Sequence, residues 1–165
     1  MDILEQIMNE RRAAVADARR EAPVEALRER AADRVHHSLV EALDGAGTSI
    51  VAEVKQASPS AGLLRADYDP AAMAAIYEAN GACGISVLTE PNHFRGALEH
   101  VRAVRGAVSL PILRKDFMCD PYQVVEAAAW GADAVLLIVA ALDYGLMHRL
   151  YDVAREQGLD VLAEA

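Results

Sequence analysis

The sequence is poor in several features that would otherwise direct its interpretation. Its two cysteines, Cys83 and Cys119, lie far apart without a metal-ligand spacing, so we expect reduced thiols in a cytoplasmic protein. Sixteen basic residues against 25 acidic ones give a net charge of −9, which lacks the basic footprint of nucleic-acid binding. No apolar run reaches the roughly 18 residues of a membrane span. The first residues are acidic and amphipathic, unlike a signal peptide. We therefore expect neither nucleic acid nor a membrane as a partner.

What the chain does contain is a regular alternation of helix-like and strand-like segments. About 45 residues of helix come first, with helices predicted over 2–20, from residue 23 onward and over 38–43. Apolar strands are then predicted at 50–55, 84–89, 110–114, 134–140 and 160–165. Helices at 70–80, 98–106, 121–130 and 143–157 separate them, and each ends near a glycine. This alternation predicts an α/β fold with a parallel sheet.

Two parallel architectures compete for this pattern, a doubly wound sheet and a TIM (β/α)8 barrel. A doubly wound nucleotide-binding fold favours a glycine-rich turn after the first strand, and the sequence has Q-A-S-P-S-A-G there. A barrel explains why charged residues recur at the strand ends, so we favour it. A full barrel needs about 250 residues. We therefore predict a helical N-terminal extension over 1–47 and an incomplete barrel, strands 1 to 5, over 48–165.

Polar and charged side chains at the predicted strand ends form the candidate site. They are Glu53 and Lys55 on the first strand, Thr89 and Glu90 on the second, Lys115 on the third and Glu164 on the fifth. The carboxyl ends of barrel strands meet at one mouth, so these groups would form a lysine–carboxylate site for acid–base chemistry. Along the third strand, Lys115 and Phe117 share one face and Arg114 and Asp116 share the other, and the sequence leaves open which face points inward.

Each of these residues also has an ordinary structural interpretation. Glu53 and Lys55 are two residues apart and can be a simple ion pair on one face of a strand. Lys115 can be a solvated lysine at a strand end, and Ser58 can be an ordinary loop residue. The five histidines have no metal-ligand spacing, so we predict no metal site.

Three motifs resemble the indole-3-glycerol phosphate synthase family of tryptophan biosynthesis. They are I-V-A-E-V-K-Q-A-S-P-S-A-G from residue 50, L-P-I-L-R-K-D-F from residue 110, and P-Y-Q-V-V-E-A with G-A-D-A-V-L-L-I-V-A-A-L from residue 121. The resemblance covers nearly the whole chain, including the helical start. It implies a (β/α)8 barrel and a carboxy-lyase without cofactor or metal. The implied reaction closes 1-(2-carboxyphenylamino)-1-deoxyribulose 5-phosphate to indole-3-glycerol phosphate with loss of CO2 and water.

The resemblance also implies roles for individual residues. Lys115 corresponds to the general acid, and Lys55 to the lysine that holds substrate carboxylate or phosphate and delivers a proton in its own right. Glu53 corresponds to the carboxylate that orients both lysines. Glu164 corresponds to the carboxylate that takes a proton or stabilises the iminium intermediate. The substrate-binding residues implied by the resemblance are Ser58 and Pro59 in a loop, and Phe94, Phe117 and Leu136 as apolar walls.

The resemblance places the family's main phosphate grip after strands six to eight, beyond residue 165. We therefore expect the isolated chain to bind substrate phosphate poorly and to be inactive without the C-terminal half-barrel. Two alternatives remain at this point. One is another phosphosugar TIM-barrel enzyme, and the other is a non-catalytic half-barrel module that self-associates to cover its open edges.

Overall fold

The computed structural model describes residues 2–165, and helices and strands alternate through most of this range. The helices are α1 (Ile3–Glu21), α2 (Val24–Ala31), α3 (Leu39–Leu43), α4 (Pro70–Ala79), α5 (Pro91–Phe94), α6 (Leu98–Ala107), α7 (Pro121–Trp130) and α8 (Tyr144–Glu156). The strands are β1 (Val51–Val54), β2 (Ala57–Ser58), β3 (Gly62–Leu63), β4 (Gly84–Leu88), β5 (Ile112–Lys115), β6 (Ala134–Ile138) and β7 (Asp160–Glu164). Within residues 2–165, no helix combines the length and the apolar character that crossing a membrane requires.

Local sequence signals explain where the main helices begin. Asp69, Asp120 and Asp143 each precede a helix, and each side chain accepts a hydrogen bond from a backbone N–H of the first turn. Proline occupies the first helical position of α4 and of α7, where its missing N–H costs nothing. These caps define where α4, α7 and α8 begin.

The main sheet is parallel, and its five strands lie in the order of the chain. The order is β1-β4-β5-β6-β7, and every neighbouring pair is parallel. A doubly wound sheet reverses its strand order at a switch point. No such reversal occurs in the sheet of the described residues, so the arrangement is that of consecutive units of a β/α barrel, as predicted.

The two faces of the sheet pack against different partners. The outer face, which includes Val54, Ile85 and Val135, is buried against the helices in the largest apolar cluster. The inner face carries a smaller cluster of Leu113, Ala134, Leu136 and Leu39. Because Leu39 belongs to α3, the N-terminal helical segment covers the end of the inner face at which the strands begin. The opposite end, where the strands finish, is left for the site.

The N-terminal segment is bonded to the amino ends of the strands. The Asp160 carboxylate at the start of β7 accepts hydrogen bonds from the Ser38 hydroxyl and from the backbone N–H groups of Leu39 and Val40. Farther back, Leu27 of α2 is buried in the cluster that packs on α7. The predicted division into 1–47 and 48–165 remains a prediction, and residue 1 of the first unit lies outside the described residues.

Several boundaries differ from those predicted, for physical reasons. The third strand of the main sheet runs over Ile112–Lys115 rather than 110–114, because Pro111 has no N–H to donate and the Leu110 carbonyl is taken by Arg105. The fourth ends at Ile138, since Val139–Ala141 turns into a 3-10 helix that is as apolar as the strand. The hairpin β2–β3 and the single-turn helix α5 were not predicted. Both are too short to show a periodic pattern.

Candidate active site

Glu53, Lys55 and Lys115 form one ionic cluster at the carboxyl end of the sheet. Lys55 Nζ lies 2.6 Å from Glu53 Oε1, and Lys115 Nζ lies 3.1 Å from Glu53 Oε2. Each carboxylate oxygen therefore has its own ammonium partner. Side-chain exposures of 27% for Glu53, 31% for Lys55 and 36% for Lys115 leave the cluster open to an incoming molecule.

Strand register brings Lys115 to Glu53 although their strands are not neighbours. Glu53 of β1 pairs with Ser86 of β4, and Leu88, two residues farther along, pairs with Lys115 of β5. Residues paired in this way share a face, so Lys115 points inward and its long side chain crosses β4 to Glu53. This settles the open question of the third strand in favour of Lys115.

The site lysines are the only lysines of the sequence, since the other 14 basic residues are arginines. Arginine is effectively always charged, whereas a lysine ammonium can give up a proton. The chain thus places both of its lysines together on one carboxylate and uses arginine elsewhere.

Opposing effects set the ionisation of Glu53. Burial raises the pKa of its carboxyl, but hydrogen bonds from Lys55 and Lys115 outweigh this, so the pKa lies below the ordinary value of 4.5. At neutral pH the cluster is therefore one carboxylate between two ammonium groups. Its excess positive charge favours an anionic ligand in a protein whose overall charge is negative.

A cavity of about 460 Å³ adjoins this cluster. Its lining residues come from the strand ends, the loops that follow them and the first helix, and they are Leu4, Leu88, Phe94, Lys115, Asp116, Phe117, Leu136, Ile138, Ala140, Glu164 and Ala165. The lining is mostly apolar, with Lys115 and Glu164 among its few charged groups. An aromatic ring fits such a wall, and charge interactions are stronger where apolar side chains exclude water.

The structure brings all three predicted wall residues together. Phe94 and Phe117 pack with ring centroids 6.0 Å apart and an interplanar angle of 38°. Leu136 lies on β6 in the same cavity, and Glu164 of β7 pairs with Ile138 on the inner face. Glu164 is exposed, so its carboxylate is available at the rim.

Ser58 and Pro59 lie apart from this cavity lining. They belong to the hairpin β2–β3, beside α5. Ser58 Oγ accepts a hydrogen bond from the Ala61 N–H, and it lies 3.5 Å from Ser60 Oγ. In this arrangement Ser58 stabilises its own turn, and its role in substrate binding remains a prediction.

Thr89 and Glu90, which the strand-end argument had included in the site, have structural partners instead. Thr89 Oγ1 donates to Asp116 Oδ2 at 2.7 Å on the outer side of the sheet. The fully buried Glu90 carboxylate caps α5 by accepting three backbone N–H groups. Charge at a strand end therefore does not by itself place a residue in the site.

Several cavity residues were missed by sequence reasoning, among them Leu88, Ile138 and Leu4. Leu88 and Ile138 could have been found by pairing register, because they lie opposite Lys115 and Glu164. Leu4 comes from α1, and no sequence pattern shows that this helix reaches the cavity.

Within residues 2–165, Glu10, Glu90 and His93 bring three groups of metal-ligand type within 4.8 Å of one another. Their donors and acceptors are already engaged, because Glu90 caps α5 and Glu10 Oε2 lies 3.0 Å from His93 Nε2. We interpret this trio as a hydrogen-bonded link between α1 and α5.

The parallel β/α units, with lysines and carboxylates at the carboxyl ends of the strands, define a protein of the TIM-barrel class. A family model for indole-3-glycerol phosphate synthase matches residues 4–165. The chain therefore belongs to the indole-3-glycerol phosphate synthase family, and its five-stranded sheet is part of that family's barrel.

Curated relatives agree with this assignment. Indole-3-glycerol phosphate synthases of Salinibacter ruber, Rhodospirillum rubrum and Burkholderia ambifaria are 51%, 45% and 48% identical to it, each over 99% of this chain. The chain spans 62%, 64% and 64% of their lengths, which is less than two thirds. A solved structure of a mandelate oxidase mutant is similar over 71% of this chain and 42% of the mandelate oxidase chain, with a TM-score of 0.49 and 16% sequence identity. This likeness is too weak to support a conclusion.

Proposed function

We propose that this chain supplies the acid–base half of an indole-3-glycerol phosphate synthase, a carboxy-lyase. It would close 1-(2-carboxyphenylamino)-1-deoxyribulose 5-phosphate to indole-3-glycerol phosphate, releasing CO2 and water. The observation that carries the proposal is the bridging of Glu53 by Lys55 and Lys115 beside a cavity with a phenylalanine pair.

The proposed ring closure needs a proton at the oxygen that leaves. Lys115 is the proposed general acid, because it is the lysine that both lines the cavity and bonds to Glu53. Glu53 accepts a hydrogen bond from this ammonium and holds it in one place. Lys55, on the other oxygen of Glu53, is the proposed contact for the substrate carboxylate or phosphate and a second proton source.

The remaining steps need an apolar wall and a base. Phe94, Phe117 and Leu136 are the proposed contacts of the anthranilate ring. Once the new carbon–carbon bond forms, loss of CO2 returns electrons to the ring and water leaves with a donated proton. Glu164, at the rim of the same cavity, is the proposed group that stabilises the iminium and accepts the proton released.

The phosphate-binding residues are the part of the proposed active site that we do not assign to this chain. The resemblance to the family implies that the main phosphate-binding residues lie beyond residue 165, and the relatives are longer than this chain. We propose that the 165-residue chain alone binds substrate phosphate weakly, and that a C-terminal half-barrel completes the site. Both cysteines are free, which supports the proposed cytoplasmic location.

The test is indole product fluorescence, measured for the chain and for a fusion that follows it with the C-terminal part of the Salinibacter ruber relative. We expect product from the fusion and little from the chain alone. Lys115→Ala should lower kcat by about 10²- to 10⁴-fold, and Lys115→Arg should be similarly impaired because it keeps the charge without the proton donor. Arg12→Ala, an exposed change on α1, is the control. A fusion without product, or one indifferent to Lys115→Ala, would rule out the assignment.

A second candidate, a self-associating half-barrel, rests on the two sheet edges. β1 and β7 each pair with a single strand of the main sheet among residues 2–165. Ile50, just before β1, is 57% exposed, and Leu162 within β7 is 40% exposed. Light scattering of the chain decides this point. A concentration-independent monomer would exclude self-association.

A further inference from the structure

Asp116 lies between Lys115 and Phe117 in the cavity lining, but its carboxylate is bonded to Thr89 and Arg114 on the outer side of the sheet. The side chain is fully buried. Its Oδ1 accepts the backbone N–H of Phe117 at 2.8 Å. Its Oδ2 accepts from Thr89 Oγ1 at 2.7 Å and from Arg114 Nη2 at 2.9 Å. The carboxylate thus fixes, from behind, the backbone that presents Lys115 and Phe117 to the cavity.

The third donor to Asp116 Oδ2 comes from the N-terminal helix. Arg11 Nη2 of α1 lies 2.9 Å from this oxygen, and the Arg11 side chain is only 10% exposed. Burial raises the pKa of the Asp116 carboxyl, but Arg114 and then Arg11 outweigh it, so the pKa lies below its usual 3.8. Asp116 is therefore a carboxylate at neutral pH, and Arg11 is one of the two cations that keep it so.

The charges of this buried group balance only when Arg11 is present. Arg114 also pairs with Glu126 at 2.9 Å, so two arginines face two carboxylates. Without Arg11 the group has one buried negative charge in excess, and such a charge moves toward water or another cation. Movement of the Asp116 carboxylate would displace or break its hydrogen bond from the Phe117 N–H, which holds the start of the loop.

The loop beyond Phe117 has its own support, which makes the effect of Arg11 local. Gln123 Oε1 accepts the N–H groups of Cys119 and Asp120 at 2.8 and 3.2 Å. Gln123 Nε2 donates to the Phe117 carbonyl at 3.1 Å. Loss of Arg11 would therefore disturb the start of the loop, next to Lys115, and leave its remainder in place.

We propose that Arg11 is a positioning residue for Lys115, acting through Asp116. The inference rests on the proposed function, in which Lys115 donates a proton. Leu4 of the same helix lines the cavity one heptad before Arg11, so α1 contributes both a wall and the support for the lysine. The N-terminal helical segment is then part of the catalytic arrangement, in addition to covering the sheet. Near-attack geometry is sensitive to displacements of about 1 Å, which can cost about 10²-fold in rate.

Arg11→Met removes the charge and keeps much of the side-chain volume, and Arg12→Met is the matched control, with the same change one residue along on an exposed side chain. In the form that makes product in the assay above, we expect Arg11→Met to lower kcat by about 10- to 100-fold and to change KM by less than about threefold. Arg11→Gln, which retains a donor for Asp116, should recover part of kcat. Rates are compared at temperatures at which circular dichroism shows each variant folded.

A second readout needs no activity. Because the chain has two lysines, selective isotope labelling of lysine gives two side-chain NMR signals. Arg11→Met should move the Lys115 signal toward that of a free lysine and leave Lys55 nearly in place, and Arg12→Met should move neither. If no form makes product, the proposed function fails and this measurement still decides the role of Arg11.

Three outcomes would overturn the inference. One is an Arg11→Met enzyme with the kcat of Arg12→Met and an unmoved Lys115 signal. Another is equal movement of both lysine signals, which would indicate a general loosening of the sheet. The last is loss of the fold in both Arg11→Met and Arg11→Gln, because Arg11 would then be required for folding and not for placing Lys115.

Discussion

Asp133→Asn should cause a large loss of stability, because Asp133 joins four donors at the amino end of the sheet. Asp133 is fully buried just before β6. Its Oδ1 accepts the His37 N–H at 2.9 Å and lies 3.3 Å from Arg34 Nη1. Its Oδ2 accepts the Ile112 N–H at 2.9 Å and Arg105 Nη1 at 2.8 Å. One carboxylate thus connects the N-terminal segment, β5 and α6.

The expected magnitude follows from what the asparagine would leave unpaired. The new amide nitrogen cannot accept the two donors that one oxygen now serves, and two arginines lose a buried counter-charge. Breaking a buried ion pair from one side costs about 3–5 kcal/mol. Each arginine keeps two backbone carbonyl acceptors, which favours the lower end, about 3 kcal/mol. For a chain of this size, this lowers Tm by about 6–12 °C.

Urea and thermal denaturation of the wild type and Asp133→Asn measure this loss directly. Asp17→Asn is the control, since Asp17 pairs with Arg20 on the exposed surface of α1 and should change stability by less than about 1 kcal/mol. If Asp133→Asn lost no more than the control, the assignment of Asp133 as a buried link would be wrong. Because Asp133 lies at the end opposite the cavity, kcat should be unchanged while the variant is folded.

Other predictions concern single sites. Gly96→Ala should lower the urea midpoint, because its Cβ would lie 2.5 Å from a backbone carbonyl oxygen, whereas Gly106→Ala meets no atom within 4 Å and should raise it slightly. Glu53→Gln should be less stable than the wild type at pH 7. The pKa of Glu53 is lowered in the folded protein, so the stabilisation by its ion pairs is complete above the unfolded pKa and is lost as pH falls through the folded pKa. The difference in urea midpoint between the wild type and Glu53→Gln should therefore shrink below about pH 4. Burial raises the pKa of Cys119 to about 11, so at pH 8 iodoacetamide should alkylate the more exposed Cys83 first, as peptide mass spectrometry would show; faster labelling of Cys119 would contradict its burial.

Much of the fold could be predicted because its signals are local. Helix starts follow from Asp69-Pro70 and Asp120-Pro121, whose side chains and rings act on the adjacent turn. The two-residue spacing of Glu53 and Lys55 placed both on one face without knowledge of any neighbour. Where a boundary depended on a distant partner, as at Pro111, the prediction missed it by one or two residues.

The composition of the site depended on register, which the sequence does not display. Glu90 looked as functional as Lys115, because both are charged residues at strand ends. The difference lies in partners that come from elsewhere, since Glu90 accepts three N–H groups of α5 and Lys115 crosses a strand to Glu53. Leu4 had no signal at all, because its position follows from the packing of α1 against α7 and the 3-10 turn after β6.

The adjacent residues Arg114 and Lys115 show how one short strand can carry both a buried structural ion pair and a residue of the proposed active site. Successive side chains point to opposite faces, so Arg114 is buried on the outer face with Asp116 and Glu126, and Lys115 reaches the cavity. A guanidinium suits the outer position because it stays charged and offers several donors, while an ammonium that can release its proton suits the inner one. The same alternation links them mechanically, since the backbone held by Asp116 also carries Lys115. The rigidity of the buried group and the placement of the proposed acid are therefore two consequences of one register.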